Sequence, residues 1–201
     1  MLSSKQRVNL ETSIHAFIEY NEGESEVSLN SLTFGELLIQ PDEKLFDALG
    51  NGINYHFPGD NSRRQSLIPS RGFPENPSEG VLDRYAHLVY SENKPHQANL
   101  HPMLCPVPDK LANEWVENGW SHRINKDAWG NPGDYVSAPI WHSPGWLSLG
   151  EVFESLKHFD LTCETLLTDR RQHFPIYLQT MNQIECQLGA DSTRLVFWFE
   201  N

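Results

Sequence analysis

Alternating apolar and polar side chains predict a β-strand near each end of the chain. In residues 13–20, SIHAFIEY, Ile14 and every second residue after it share one face, while His15 and the residues that alternate with it share the other. Residues 193–201, TRLVFWFEN, alternate in the same way, with Leu195 and every second residue after it on one face. A period of two residues is typical of a strand. Both terminal segments are therefore predicted to be strands, the first half-buried with an apolar and a polar face.

Helical periodicity and boundary residues predict helices between those strands. The clearest start is Ser148 with Glu151 three residues later, the arrangement of a capping box, so a helix begins at residue 149. Further helices are predicted over residues 41–50, 79–90, 109–119 and 163–189, the last of them bent or broken at Pro175.

Two long stretches show neither period and are predicted to be ordered loops. Residues 50–80 are rich in Gly, Asn and Pro but also contain apolar side chains, and residues 120–146 hold four of the six tryptophans. We predict a single α+β domain over residues 1–201, in which residues 1–12 form a flexible start. Its sheet is mixed or antiparallel, contains both terminal strands, and is packed by three to five helices.

Charge and cysteine content narrow the classes of function. The formal net charge of −12 over 201 residues disfavours nonspecific nucleic-acid binding, because the protein repels phosphate backbones. No apolar run approaches the length of a membrane span, so we predict no membrane partner and a cytoplasmic location. Three widely spaced cysteines without a CxxC pair fit a reducing compartment. His101 and Cys105 have a spacing compatible with a metal ion but lack a partner motif, so we predict neither a metal nor a cofactor.

The order of five short motifs resembles that of an uncharacterised protein family found in phages and bacteria. The motifs are SIHAFIEY, KLFDALGNGIN, IPSRGFPENPS, WHSPGWLSLGEVF and TRLVFWFEN. Members of that family typically open with a Met-Gly-Cys-Asp-Ile-His strand, carry a His-Ser-His-Ser-Trp-Leu-Thr-Leu helix start, and end like Arg-Ile-Val-Phe-Trp-Phe-Asp-Asn. This chain departs from the pattern at Thr12, Ser13, Pro144 and Glu200, and so lacks two side chains that would be ligands in a metal enzyme. The resemblance implies positions for a site rather than an activity.

The stretch around His142 is the first candidate site. It lies shortly before the capped helix, whose unpaired backbone N–H groups attract anions. The Ser143 hydroxyl and the Pro-Gly turn after it allow a ligand to approach closely, and Trp141 and Trp146 offer flat stacking surfaces. These residues favour a phosphate-bearing or nucleotide-like ligand. The alternative is that His142 only hydrogen-bonds the turn, while the tryptophans fill the core.

Three residues from other segments complete the candidate site. His15 lies on the polar face of the first strand, Arg71 lies in a turn where its guanidinium suits bidentate anion recognition, and Glu200 ends the last strand. If the terminal strands are neighbours, these residues converge with His142, and the two histidines with Arg71 supply base, acid and anion clamp without a metal. Alternatively, His15 satisfies a buried carbonyl, Arg71 pins its loop through a salt bridge, and Glu200 is solvated.

Two functions fit this pattern. The first is a small-ligand site that binds or hydrolyses a nucleotide-like or other phosphate-bearing anion. The second is a non-enzymatic acidic module that binds a basic host protein, for example as a phage-type inhibitor of a host system, through acidic residues such as Glu22, Glu24 and Glu26. The predicted catalytic residues are His142, His15 and Arg71, and the predicted binding residues are Trp141, Ser143, Trp146 and Glu200.

Overall fold

The computed structural model describes nine stretches of the chain. Three predicted features lie outside these stretches: residues 1–11 of the predicted flexible start, the acidic residues Glu22, Glu24 and Glu26, and the pair His101 and Cys105. The described residues are 12–21, 29–33, 37–39, 43–50, 67–69, 71–91, 106–126, 133–166 and 174–200.

A five-stranded antiparallel sheet contains both terminal strands. Its main path runs β2 (Asn30–Leu32), β1 (Thr12–Tyr20), β9 (Thr193–Glu200) and β8 (Trp141–Ser148). β3 (Leu37–Ile39) pairs with the beginning of β1, on the same edge as β2. The α+β class and the place of both terminal strands in one sheet are confirmed.

β1 and β9 form the centre of this sheet. They pair over eight positions, from Ser13 opposite Glu200 to Tyr20 opposite Thr193. No hairpin joins them, because they come from the two ends of the described chain. The apolar faces predicted for the two strands therefore lie side by side, and each extends the other.

Helices cover one face of the sheet. α1 (Glu43–Gly50), α4 (Leu149–His158) and α6 (Phe174–Leu188) bury apolar side chains against it, and the single turn α5 (Cys163–Leu166) precedes α6. The first core is formed by the sheet residues Ile14, Ala16, Ile18, Leu195, Phe197 and Phe199 and by helix residues that include Leu45, Val152, Leu156, Phe174, Tyr177 and Met181.

A second sheet, with α2 (Glu79–Tyr85), covers the opposite face. Its strands run in the order β5 (Val107–Pro108), β4 (Ala86–Tyr90), β7 (Gly133–Ser137) and β6 (Arg123–Lys126), and only the pair of β4 and β5 is parallel among those described. The second core contains Phe17, Val196 and Trp198 of the first sheet, Val81, Leu82 and Tyr85 of α2, and Ala86, Ile124 and Tyr135 of the second sheet.

This second layer overturns the prediction that β1 is half-buried with a polar face. His15 and Glu19 lie on that face, yet they are only 3% and 0% exposed. The alternation correctly gave the two faces of the strand, but it could not show that both are covered. Polar side chains on a covered face need partners within the protein.

Three further predictions differ from the structure. The helix predicted over residues 79–90 ends at Tyr85, and the chain continues directly into β4. The stretch 120–146, predicted to be loop, contains β6, β7 and the first part of β8. Pro175 lies in the first turn of α6, where its missing N–H costs nothing, rather than at a bend within a helix.

α3 (Asp109–Glu117) forms within the segment predicted for it, and Gly119 follows with φ of 72°. Among the helices of the described stretches, none is both long and apolar enough to cross a membrane.

Candidate functional site

A β-bulge in β8 turns both of its tryptophans toward the second core. Five steps along β8 from Trp141 to Trp146 match only four steps along β9. Because side chains alternate, five regular steps would place the two rings on opposite faces. The extra residue lies between His142 and Gly145, where Ser143 has φ of 48°. The bulge thus brings both indole rings to the same face of the sheet.

Gly145 is required by the packing of Phe197. A Cβ atom at this position would lie 2.8 Å from Cζ of the Phe197 ring, which is closer than real contacts allow. The sequence pattern suggested that the Pro-Gly turn admits a ligand. In the structure, the close approach is made by the protein's own aromatic ring.

The His15 cluster consists of His15, Glu200, Trp141 and Trp198. His15 Nε2 lies 3.0 Å from Glu200 Oε2. The Trp141 ring meets the imidazole edge-on, with centroids 4.4 Å apart, and the Trp198 ring stacks on it at 5.7 Å. The His15 side chain is 2% exposed, whereas that of Glu200 is 34% exposed. Three predicted site residues therefore meet here, with the carboxylate at the surface and the imidazole buried beneath it.

His142 occupies a strand position rather than a turn beside the capped helix. Its backbone is paired with Phe199, a residue of the first core. Five residues of β8 lie between it and Ser148, and because of the bulge the two positions match five steps along β9, or about 17 Å. Its side chain lies outside the part of the molecule that the structure describes, so its catalytic role stays a prediction.

The Arg71 platform consists of Arg71, Trp146, Glu151 and Arg194. Cζ of Arg71 lies 4.3 Å from the centre of the Trp146 ring, and Cζ of Arg194 lies 5.6 Å from it. Arg71 donates from Nη1 to Glu151 Oε2 at 2.9 Å and from Nη2 to Oε1. The side chains of Arg71 and Glu151 are 35% and 24% exposed. The platform therefore places charged groups near the surface, around one indole ring.

Glu151 also closes the N-terminus of α4, as the predicted capping box requires. Ser148 Oγ accepts the Glu151 N–H at 3.3 Å, and Glu151 Oε2 accepts the Ser148 N–H at 2.9 Å. Burial raises the pKa of Glu151, but hydrogen bonds from Arg71 and Ser148 outweigh burial and hold the pKa below its ordinary value. This carboxylate thus acts as a built-in anion for both the guanidinium and the helix N-terminus.

A buried ion pair fixes the segment that precedes α2. Glu19 Oε2 accepts the Nε–H of Arg194 at 2.6 Å, and its other oxygen accepts the Ser78 N–H. Arg194 also donates to the backbone carbonyl of Asn76. Asn76 and Ser78 are therefore tied to the first sheet through their main chain.

The two groups of side chains lie at separate places on one face. His15 lies opposite Trp198, and Trp146 lies opposite Val196. The two positions are therefore two strands apart across the sheet and two residues apart along it, or about 10 Å and about 7 Å. Trp198 and Val196 lie in the second core between them. The structure brings His15 together with its carboxylate, but it does not bring Arg71 to the same place.

Arg194 and Glu19 are members of the site region that the sequence pattern did not single out. They lie directly opposite each other in the pairing of β1 and β9. A signal for them exists, because opposite charges at paired positions of neighbouring strands attract each other. It becomes readable only once the register of two strands from opposite ends of the chain is known.

The described stretches contain no cluster of side chains that could bind a metal ion. No three side chains of His, Cys, Asp or Glu lie close enough there to hold one ion. The absence of a metal from the function stays a prediction.

Comparison with known proteins identifies no relative. No protein-family model, curated protein or solved structure matches the chain. The resemblance to the phage and bacterial family therefore stays a prediction.

Proposed function

We propose that this protein binds a small phosphate-bearing ligand at the Arg71 platform. Two guanidinium groups 4.3 Å and 5.6 Å from the centre of one indole, beside the start of α4, carry this proposal. Guanidinium groups bind phosphate through parallel charge-assisted hydrogen bonds, and the N–H groups of a helix start favour anions. Both guanidinium groups are paired, Arg71 with Glu151 at the surface and Arg194 with the buried Glu19, so an anion enters by taking the place of Glu151 on Arg71.

Binding at this platform is an exchange of anions. The Glu151 carboxylate accepts both hydrogen bonds that Arg71 offers it and one from the helix start. A phosphate group offers the same geometry with more charge, so it replaces the carboxylate on Arg71. The Trp146 ring holds the guanidinium plane in place during the exchange, because stacking does not depend on which anion is bound.

Of the two predicted catalytic histidines, His15 is the one whose side chain the structure describes, and it does not lie at the platform. A catalytic base must come within hydrogen-bond distance of the ligand. His15 is buried against two indole rings, and the second core lies between it and the platform. The acidic residues of the partner hypothesis, Glu22, Glu24 and Glu26, lie outside the described stretches, so no contact among the described residues favours that second function.

Calorimetric titration with inorganic phosphate and with adenosine monophosphate tests the proposal. We expect the unaltered protein to bind at least one of these probes, with affinity that falls as salt is added. Arg71→Ala should weaken binding at least about 10-fold, because a charge-assisted bidentate contact is lost. Glu151→Gln should tighten it about 3- to 5-fold, because the competing charge is removed while glutamine still fits the capping box.

Arg123→Ala is the matched control. Arg123 also lies in an ion pair, with Asp109 at 2.8 Å, but it belongs to the second sheet. Its removal should leave phosphate affinity unchanged. Equal affinities in the Arg71 and Arg123 variants, or no binding of either probe by a folded unaltered protein, would overturn the proposal.

A further inference from the structure

The two arginines of the Arg71 platform have partners of different kinds. Arg71 donates to Glu151, and these two side chains are 35% and 24% exposed. Arg194 donates its Nε–H to Glu19, whose side chain is 0% exposed, and donates from Nη2 to the backbone carbonyl of Asn76. Removing the partner of a buried carboxylate leaves an uncompensated charge in the interior, whereas a partly exposed carboxylate is solvated when it is released. Exchange with an incoming anion is therefore open to Arg71 and closed to Arg194.

The register of the first sheet gives Arg194 a central place in this region. Its backbone on β9 lies opposite Glu19 of β1 on one side and opposite Ser148 of β8 on the other. Its Cζ lies 5.6 Å from the centre of the Trp146 ring, the same ring on which Arg71 lies. The Arg194 side chain thus contacts a buried carboxylate, the main chain before α2 and the shared indole.

The segment that carries Arg71 is held by one ring contact and two main-chain hydrogen bonds. The ring of Phe73 stacks on a tyrosine ring of α2, with centroids 4.0 Å apart. The Asn76 carbonyl and the Ser78 N–H are bound by the two members of the buried ion pair. A segment held at one ring alone is free to pivot about it, so the ion pair fixes the direction in which the segment leaves Phe73.

We propose that Arg194 is a positioning residue of the phosphate site and not a second ligand of the phosphate. The assignment rests on the proposed function, because it gives Arg194 a role within that site. Locked by Glu19, Arg194 holds the Asn76 main chain beside the Trp146 ring and so keeps Arg71 on the indole, where it exchanges its anion. The site depends on the fixed fork of N–H donors of Arg194 and not on its positive charge.

Substitution by lysine separates the fork from the charge. Arg194→Lys keeps a positive charge beside Glu19, but an ammonium group on a flexible stem does not reproduce the fixed pair of donors. In calorimetric titration with inorganic phosphate and with adenosine monophosphate, this variant should bind about 3- to 10-fold more weakly than the unaltered protein, because Arg71 is less well pre-organised.

Leu195→Ala is the matched control for a general loss of stability. Leu195 is the next residue of β9, but its side chain lies in the first core on the opposite face of the sheet. The variant is destabilised by a cavity, whereas the contacts of Arg194 are kept. At a temperature at which all the variants are folded, its affinity for either probe should equal that of the unaltered protein.

Proton–nitrogen spectra of the arginine side chains supply a readout that a loss of stability does not change. They are recorded on the unaltered protein and assigned through bonds to the backbone. The Nε–H of Arg194 donates to a buried carboxylate, so it should exchange slowly with water and keep its chemical shift when the probe is added. The side-chain resonances of Arg71 should shift up to saturation, because its anion is exchanged.

Two results would overturn the assignment of Arg194. One is full affinity for the probe in the folded Arg194→Lys variant, since the charge alone would then be sufficient. The other is a shift of the Arg194 Nε–H resonance as large as that of Arg71, since Arg194 would then bind the ligand itself; this second readout decides even if the lysine variant does not fold. Absence of binding by the folded unaltered protein is a distinct outcome, because it overturns the proposed function and the role of Arg194 with it.

Discussion

The two faces of the five-stranded sheet are both buried, but by different means. On the face toward α1, α4 and α6, the described strands contribute mainly apolar side chains to the core, and the buried Thr193 at the start of β9 donates to Glu185 of α6 at 2.7 Å. The face toward the second sheet carries His15, Glu19 and Arg194 beside Phe17 and Trp198. There the ionisable side chains are matched with partners: an imidazole with a carboxylate, and a carboxylate with a guanidinium and a backbone N–H.

The difference shows how each face is specified. Apolar packing tolerates substitutions that conserve volume, because its contribution to stability is roughly proportional to the apolar area that is buried. A buried carboxylate instead depends on particular partners, and it becomes a liability when one of them is lost. On the second face, a single substitution therefore also leaves the partners of the replaced side chain without their hydrogen bonds. Both groups of candidate site residues belong to this face.

The largest effect is expected from Glu19→Ala. It leaves Arg194 without its buried partner and the Ser78 N–H without its acceptor, so the free energy of unfolding should fall by about 3–5 kcal/mol. Denaturant unfolding at neutral pH measures this loss. On the other face, Leu195→Ala should cost about 2–5 kcal/mol for the different reason that it leaves a cavity.

A double substitution tests whether the unpaired charge of Arg194 causes the loss of stability in Glu19→Ala. Glu19→Ala combined with Arg194→Leu removes both charges, so it should be more stable than Glu19→Ala alone. If the double variant instead loses the sum of the two single losses, the ion pair does not govern this face.

A smaller effect is expected at the bulge in β8. Gly145→Ala places a methyl group against the Phe197 ring, so it should lower the free energy of unfolding by about 1–3 kcal/mol. Gly150→Ala in α4 is the control, because a Cβ there meets nothing within 4 Å. Alanine is the better helix former, so this variant should be as stable as the unaltered protein or more so. Equal losses in the two variants would contradict the role given to Gly145.

The smallest effect concerns Glu151 and its dependence on pH. The folded-state pKa lies below the ordinary value of 4.5, so the ionised carboxylate stabilises the fold above that value and loses this contribution as the pH falls through the lowered pKa. Glu151→Gln should cost about 1 kcal/mol or less at neutral pH, because the pair is partly exposed. Thermal unfolding of both proteins at several pH values measures the difference. A difference that grows as the solution is acidified would contradict this assignment.

Local pattern was sufficient for some elements and insufficient for others. The strands β1 and β9 and the capped start of α4 were predicted, because alternation and the Ser148–Glu151 pair are properties of adjacent residues. β6, β7 and β8 were not, because they are short or bulged and their alternation is interrupted. The end of α2 at Tyr85 was also missed, since the strand after it continues an apolar pattern that a helix can share.

The candidate site divides in the same way. His15 faces Glu200 and Trp141, and Arg71 lies on Trp146, while the role of each as a site residue stays a prediction. Their grouping was not predictable, because it depends on the strand register and on the bulge. The alternative reading of Arg71, a salt bridge that pins its segment, describes the contact with Glu151, and the proposed exchange of anions starts from that contact.

By itself, the sequence determined which side chains share a face of each terminal strand and where α4 begins, since these follow from the geometry of a few consecutive residues. Only the tertiary structure decided that both faces of the first sheet are covered, that Trp141 and Trp146 point the same way, and that His15 and Arg71 are held apart. The physical reason is that burial and pairing are set by segments distant along the chain, whose positions no local period encodes.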